Sequence, residues 1–272
     1  MVSLSDAALA VLSTADPVQK AETTRVFAAQ WRSGEISEIG KVTIPERPAR
    51  PDKPELLAPR DLPKRGKAGT TRSKIAMLHA LAHIELNAID LSWDILGRFA
   101  FYHYGDDFIL PKEFFDDWIK VADDEAKHFL MLQSRLNDFE ASYGDLPAHD
   151  GLWESSVATA HDFPARLAIV PMVLEARGLD VTPNLVEMMK RQGDTQTAEL
   201  FQIIHDDEIT HVRAGAVWFE AWCAHHSLDV EATFQDLVRT YFHGKLKPPF
   251  NHPSREDAGM LRDWYEPLAQ DA

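Results

Sequence analysis

One heptapeptide pattern occurs twice in this chain, and it constrains the fold more than any other feature. Asp123–Phe129 is DDEAKHF and Asp206–Val212 is DDEITHV, so both follow D-D-E-x-x-H with an apolar residue after it. The segments before them also match, because Ile84–Asp90 (IELNAID) parallels Leu174–Asp180 (LEARGLD). The sequence therefore predicts two similar halves, each a helical hairpin with one glutamate on its first helix and Glu-x-x-His on its second.

Apolar periodicity after Thr71 predicts four long helices. These helices cover approximately residues 73–103, 111–143, 164–191 and 195–225. A short helix at 152–161 would connect the two hairpins, and Thr182-Pro183 predicts a kink in the third long helix. Sustained β alternation is not seen in the sequence, so the predicted fold class is all-α, and four long helices favour a four-helix bundle.

The first seventy residues differ in kind from the rest. A helix is predicted at Asp16–Arg32, and an extended arm follows that carries six of the sixteen prolines, which disfavour helix and central strand. An arm of this length is expected to wrap the body. The predicted organisation is an N-terminal helix and arm (1–70), a bundle (71–225) and a C-terminal helical tail packed on the bundle (226–272).

Charge is unevenly distributed along the chain. The formal net charge is −15, yet the segment Lys41–Lys74 carries ten basic and four acidic residues. Two hypotheses follow: the segment is a strap held on its own acidic body, or it binds an anionic polymer such as tRNA. The strap is favoured because it needs no partner, and it implies a small-molecule substrate.

Several classes of protein are excluded or disfavoured by composition. The single cysteine, Cys223, excludes a disulfide framework and a cysteine-based zinc or iron–sulfur site, and it is predicted to be inert. The N-terminus lacks a basic region followed by a long apolar run, and no apolar stretch is long enough to span a membrane. The expected protein is cytoplasmic, a monomer or a dimer, with no membrane partner.

The glutamates and histidines of the repeat predict a metal centre. Residues i and i+3 share one helical face, so the Glu and His of each Glu-x-x-His can bind one ion. In each hairpin, the two glutamates lie at distances from the turn that differ by about one helical turn, so they can face each other. Four carboxylates and two imidazoles balance two divalent cations, and this donor set suits iron, or else manganese. The candidate ligands are Glu85, Glu125, His128, Glu175, Glu208 and His211.

The alternative is that these acidic residues form solvated helix faces. They lie among apolar positions, however, where an unpaired carboxylate is costly to bury, so the metal hypothesis is favoured. Asp124 and Asp207 are predicted to accept the second N–H of a ligand histidine. Asp90 and Asp180 match in the repeat, and both inward and outward orientations stay open for them.

Other residues are interpreted as structural. His79 and His83 have the i, i+4 spacing of zinc ligands but lie off the Glu85 face, so they are predicted to be core histidines or outer partners of the metal centre. Packing is predicted, in preference to a radical relay, for Trp93, Phe99, Phe129, Trp218 and Trp222.

The ligand pattern is the one known from ferritin-like di-iron and di-manganese proteins. The chain resembles a bacterial family of uncharacterised ferritin-like proteins over nearly its whole length, including the proline-rich arm and Tyr143–Glu154. The segments that carry the resemblance are MLHALAHIELNAID (Met77–Asp90), DDEAKHF, VPMVLEARGLDVTP (Val170–Pro183) and DDEITHV. The glutamate of Glu175-Ala176-Arg177 is also similar to that of the di-iron hydroxylase acting on isopentenyl-adenosine in tRNA.

This resemblance implies a di-iron centre, dioxygen activation and hydroxylation of a C–H bond. Lys127 and Thr210 stand where many di-iron oxygenases have arginine in D-E-x-R-H. The expected function is a dimetal-carboxylate oxidoreductase that uses dioxygen or peroxide on a small molecule. The alternatives are a ferritin-type ferroxidase without organic substrate, a tRNA-modifying hydroxylase, and a bundle whose metal is only structural.

Overall fold

The structure is a computed structural model that describes residues 2–63, 69–101 and 107–270, apart from the side chain of Gln270. It confirms the all-α fold class, because these ranges contain no β-strand, and Leu56 and Ala148 form an isolated parallel bridge. None of the helices in these ranges is both long and apolar enough to span a membrane.

The helices follow one another along the chain, and the extended arm lies between the second and the third. They are α1 (Leu4–Leu12), α2 (Pro17–Ser33), α3 (Thr71–Arg98), α4 (Lys112–Asn137), α5 (Gly151–Ala158), α6 (Phe163–Ile169), α7 (Ala176–Arg191), α8 (Thr195–His225), α9 (Val230–Tyr241), α10 (His252–Asp257) and α11 (Arg262–Gln270). A 3₁₀ turn covers Pro59–Asp61, and a π-helical turn covers Val170–Glu175. The chain forms two compact units, residues 1–101 with 115–154 and residues 102–114 with 155–272.

The first unit is built around α3, whose middle turns are almost entirely buried. α1 and α2 pack against α3, and the indole N–H of Trp93 donates to Thr24 Oγ1 at 3.0 Å. The loop after α4 returns to the first half of α3, where the Gly144 N–H donates to His79 Nε2 at 2.9 Å. The two helices therefore run antiparallel, which brings α4 glutamate and histidine beside α3.

The arm lies along the first unit. Ala49 N–H donates to Leu12 O at 2.7 Å, and Arg98 Nη2 donates to Pro45 O at 3.1 Å. A Cβ at Gly97 would come within 2.3 Å of Ile44 Cδ1, so a larger residue here would displace the Ile44 side chain. Backbone and side-chain contacts thus hold the arm on this unit.

Arg47 and Arg50 of the arm pair with acidic residues elsewhere in the first unit. Arg47 pairs with Asp150 at 2.6 Å, and Arg50 pairs with Asp90 at 3.0 Å. Arg60 instead contacts its neighbour Asp61 at 3.7 Å and is largely exposed. The strap hypothesis also concerns Lys64, Arg65 and Lys67, and these three lie outside the described residues.

The second unit contains the α7–α8 hairpin. α7 packs along α8, and α6, α9 and α10 add further contacts. Gly193 has φ +73°, a left-handed conformation that favours glycine, and Asp194 Oδ1 accepts from Thr197 N–H at 3.2 Å to cap α8. The sequence prediction of a turn here and a helix over 195–225 is confirmed.

Two predicted helix ends are wrong. α3 ends at Arg98 and does not extend to residue 103, which lies outside the described residues. α4 ends at Asn137 and does not continue to residue 143, because Glu140 adopts φ +56° and Ala141 N–H closes the end on Leu136 O at 3.1 Å. α1 was not predicted, although Ser3 and Asp6 form a capping box at its start.

The predicted long helix at 164–191 is also divided. Its irregularity lies at the π-helical turn Val170–Glu175, whereas α7 continues through Pro183. Pro171 lacks an N–H and its ring crowds the preceding turn, which disfavours regular α-helix here. A Cβ at Gly215 of α8 would lie 2.4 Å from Pro171 Cγ, so the glycine accommodates this turn.

Candidate metal centre

The first half of the repeat places three predicted ligands together. Glu85 of α3 and Glu125 and His128 of α4 are all buried. His128 Nδ1 lies 3.2 Å from Glu85 Oε2 and 3.6 Å from Glu125 Oε2. One histidine nitrogen therefore faces two carboxylates, as the i, i+3 spacing predicts.

Electrostatics disfavours two ionised carboxylates at this position. Burial raises the pKa of Glu85 well above its usual range, and the nearby charge of Glu125 raises it further, while the hydrogen bond with His128 acts in the opposite direction. Buried apolar side chains, including Ala122, Ala126 and Phe129, follow the same helix. A cation or a proton is thus needed to stabilise the pair.

The second half repeats the local geometry. His211 Nδ1 lies 3.7 Å from Glu208 Oε2 on α8, and His211 is fully buried. Glu175 is the last residue of the π-helical turn, and both of its carboxylate oxygens are shielded from solvent. The matching heptapeptides therefore give matching Glu–His pairs.

Four of the six predicted ligands belong to one buried group that could hold a metal ion. Each of its residues offers one ligand atom, and these atoms all lie within 4.8 Å of one another; the group is Glu85, Glu125, His128 and Glu208. Glu175 and His211 are not members of that group, and their role as ligands stays a prediction.

The two aspartates next to the ligand glutamates have other contacts. Asp124 accepts from Lys120 Nζ at 2.6 Å and from Lys127 Nζ at 3.1 Å, both on its own helix. Asp207 is half-buried, and its backbone carbonyl accepts from Thr210 Oγ1 at 2.9 Å. Their predicted hydrogen bonds to ligand histidines stay a prediction.

The side chains of Asp90 and Asp180, whose orientation the sequence left open, both point inward. Asp90 accepts from Lys20 Nζ at 2.5 Å and pairs with Arg50 at 3.0 Å. Asp180 accepts from Arg255 through two contacts, at 2.9 and 2.7 Å. Sequence analysis missed these three cations, although an aspartate at a buried helical position already requires a cationic or hydrogen-bonding partner.

His79 and His83 lie in the core and line a cavity. His83 Nδ1 is 2.8 Å from Tyr143 Oη, and its Nε2 is 2.9 Å from His149 O. Since the carbonyl can only accept, Nε2 carries the proton and the Tyr143 hydroxyl donates to Nδ1. Burial lowers the pKa of His83 to about 4 and also lowers that of His79.

The remaining predictions of structural roles agree with burial. Trp93, Phe99 and Phe129 are fully buried, and the Trp218 ring packs edge-on against Phe114 at 5.5 Å. Trp222 is half-buried beside His226. Cys223 is buried, and burial raises its pKa to about 11, which makes the thiolate scarce at neutral pH.

The fold and the site define an all-helical protein with a buried Glu/His group suited to a metal ion. The chain belongs to the family described as protein of unknown function (DUF455), whose model matches residues 13–266. It is 41% identical over 228 residues to an uncharacterized protein of Haemophilus influenzae, covering 82% of this chain and 77% of that relative. No solved structure matches the chain.

Proposed function

We propose that the protein is a dimetal-carboxylate oxidoreductase that uses dioxygen or peroxide to oxidise a small-molecule substrate. The observation that carries the proposal is the buried group of Glu85, Glu125, His128 and Glu208, whose ligand atoms lie within 4.8 Å of one another. In this proposal Glu175 and His211 complete the ligand set, and the fold is a ferritin-like four-helix bundle.

The donor chemistry supports iron, with manganese as the alternative. Carboxylate oxygens and imidazole nitrogens suit these metals, whereas soft metals prefer thiolates, and Cys223 carries a raised pKa. His128 presents Nδ1 to Glu85 and Glu125, and His211 presents the same nitrogen to Glu208. Equivalent pairs are the arrangement expected when each histidine binds one ion of a pair.

The chain's own residues would hold the metals and keep water away from them. When bound, two iron ions would supply the redox step, for which ordinary side chains are poorly suited. Glu85 and Glu125 would lose their mutual repulsion on binding cations, because their charges are then compensated. Buried Ala122, Ala126 and Phe129 along α4 would limit solvent access to the ligands.

The contacts of the arm support a small molecule over tRNA. Arg47 and Arg50 pair with Asp150 and Asp90, so these two side chains are already neutralised within the protein. A nucleic-acid surface would keep its basic side chains available for phosphates. The tRNA hypothesis is therefore an outcome of the test below.

The test begins with metal content and dioxygen uptake. We expect protein purified from its native host to contain about two iron or manganese ions per chain. Anaerobically reduced iron-loaded protein should consume dioxygen and repeat the reaction when an external reductant is supplied. Glu125→Gln should lose both metal and uptake, whereas Glu113→Gln, an exposed residue of the same helix, should keep both.

Three results would overturn the proposal or redirect it. Iron accumulation far beyond two ions per chain, with dioxygen uptake in proportion to the Fe²⁺ added, would establish a ferroxidase. A mass increase of one oxygen atom in bound tRNA would establish the tRNA-modifying hydroxylase. Unchanged metal content in Glu125→Gln would exclude this site.

A further inference from the structure

The first unit contains a cavity that the proposed metal chemistry does not use. Its volume is about 470 Å³, within the range of ~300–1,000 Å³ typical of small-molecule pockets. One wall is α3, through Ile75, Ala76, Ala80 and neighbouring side chains, and the loop from Leu146 to His149 forms another. The cavity is therefore bounded by well-defined elements of one unit.

The cavity and the candidate metal ligand lie on opposite faces of α3. Successive residues of an α-helix are rotated by about 100°, so Ile75, Ala76, His79, Ala80 and His83 form one stripe. Glu85 lies about 150° from the centre of that stripe by the same rotation. The cavity is thus a separate site, and its occupant would not touch Glu85.

The walls of the cavity are mostly apolar, and its rim exposes hydrophobic surface. Ile84 lines the cavity and is 44% exposed. Ala76 and Ala80 are half-buried and also line it. An apolar body in the cavity would cover this surface and gain free energy from its burial.

The polar groups of the cavity are donors. His79 Nε2 accepts from the N–H groups of Gly144 and Leu146, so its proton lies on Nδ1, which makes no hydrogen bond to the described residues. His149 Nδ1 accepts from Gly151 N–H, which leaves Nε2–H as its donor. Arg72 is exposed, lines the same cavity and forms no ion pair with the described part of the chain.

No acidic side chain lines the described cavity. An unpaired guanidinium and two imidazole donors prefer an anionic head group, since Arg binds carboxylates through two parallel hydrogen bonds. We propose that this cavity binds a small organic anion with an apolar chain or ring and a carboxylate head at Arg72, His79 and His149.

The experiment is titration calorimetry of the purified full-length protein with decanoate, 1-decanol and decyltrimethylammonium, which share one tail and differ in the head group. We expect decanoate to bind most tightly. Arg72→Gln should weaken decanoate binding about tenfold, the size expected for one charge-assisted contact, and leave decanol binding within about twofold. Arg60→Gln is the matched control, because Arg60 is exposed and does not line the cavity.

A second variant tests the cavity itself. Ala80→Phe should fill the space and abolish binding of both decanoate and decanol. If that variant does not fold, Ala76→Leu replaces it in the experiment and should weaken binding of both compounds. Equal affinity for decanol and decanoate, tighter binding of the cation, or no effect of Arg72→Gln would overturn the proposal. Because binding is measured without turnover, these results are independent of metal content.

Discussion

Each half of the repeat contains a buried aspartate that is paired with cationic side chains, and these cations come from opposite ends of the chain. In the first half, Asp90 lies five residues after Glu85 and binds Lys20 of α2 and Arg50 of the arm. In the second, Asp180 lies five residues after Glu175 and binds Arg255 of α10. In each half, the aspartate that follows the repeat glutamate is thus paired with a cation from a segment outside the repeat.

The halves differ in the backbone that carries the glutamate. Glu85 lies in the regular helix α3, whereas Glu175 ends the π-helical turn before α7. A π-helical turn inserts one extra residue and changes which side chain faces a neighbour, and such turns are frequent at functional sites. Glu85 and Glu175 therefore match in the repeat but lie in different backbone conformations.

The largest expected effect on stability comes from replacing the two aspartate anchors, Asp90 and Asp180. Asp90→Asn should destabilise the protein by about 3–5 kcal/mol, because it leaves Lys20 and Arg50 without their compensating charge. Asp180→Asn should lie at the lower end of that range, since one buried guanidinium, that of Arg255, loses its partner. The free energy of unfolding in urea measures both.

Asp123→Asn is the control for these two variants. Asp123 pairs with Arg25 and Arg32, whose side chains are about half exposed, so its loss should cost less than about 1 kcal/mol. Equal effects of Asp90→Asn and Asp123→Asn would contradict the comparison.

The next effect concerns the histidines of the two halves. His128→Ala and His211→Ala should each lower metal affinity by about 100-fold, at least as much as loss of an outer partner of a ligand. Metal content after dialysis against a graded chelator measures this. Loss in His128→Ala with full retention in His211→Ala would show that only the first half binds metal, and His205→Ala serves as a control on the same helix.

Removing the metal should also reveal the carboxylate repulsion. Chelation at neutral pH is expected to lower the melting temperature, because Glu85 and Glu125 then lie close together without a cation. In chelated protein, Glu175→Ala should raise the melting temperature if its carboxylate belongs to the same cluster. A melting temperature that chelation leaves unchanged would contradict clustering.

The sequence alone predicts the elements that follow repeated patterns. The predicted bounds of α8 are correct. Its start is signalled by Gly193, which provides the turn, and by Asp194, which caps the helix. Glu125, His128 and Glu208 are predicted from the i, i+3 spacing of Glu-x-x-His, which maps onto one helical face, and Glu85 is predicted from its distance to the hairpin turn.

Tertiary features escape the same reasoning. The π-helical turn depends on Pro171 meeting Gly215, and the anchors depend on contacts such as Arg255 with Asp180, which are 75 residues apart. The end of α4 depends on Glu140 adopting a left-handed conformation, which is uncommon for a residue other than glycine. No local pattern encodes these contacts, although buried aspartates at matched positions signal that partners exist.

The free energy of unfolding should depend on pH through His83 of the first half. Burial lowers the pKa of His83 to about 4, so in the pH range between 6.5 and about 4 the unfolded chain takes up a proton that the folded protein does not. Stability from this residue is therefore present above pH 6.5 and is lost as the pH falls. The loss should be about 2 kcal/mol between pH 7 and pH 5.

Urea unfolding of chelated protein measures this loss when it is compared with His83→Gln, which removes the titrating group. The stability difference between the two proteins should change by that amount across the pH range. His205→Gln provides the second-half comparison, since burial also lowers the pKa of His205. Parallel pH profiles of wild type and His83→Gln would show that His83 titrates normally.

The smallest expected effects concern the residues that replace arginine in the two heptapeptides. Lys127 Nζ contacts Asp124 at 3.1 Å, but Asp124 also accepts from Lys120 at 2.6 Å, so Lys127→Met should cost less than about 1 kcal/mol. Thr210→Val removes a hydroxyl bonded to the Asp207 carbonyl and should cost about as much. Metal affinity should change less than tenfold in both variants, because neither side chain belongs to the buried ligand group. A drop of 10–100-fold in Lys127→Met alone, the size expected for an outer partner of a ligand, would show that the lysine orients the first half through Asp124 and that the halves divide this task unequally.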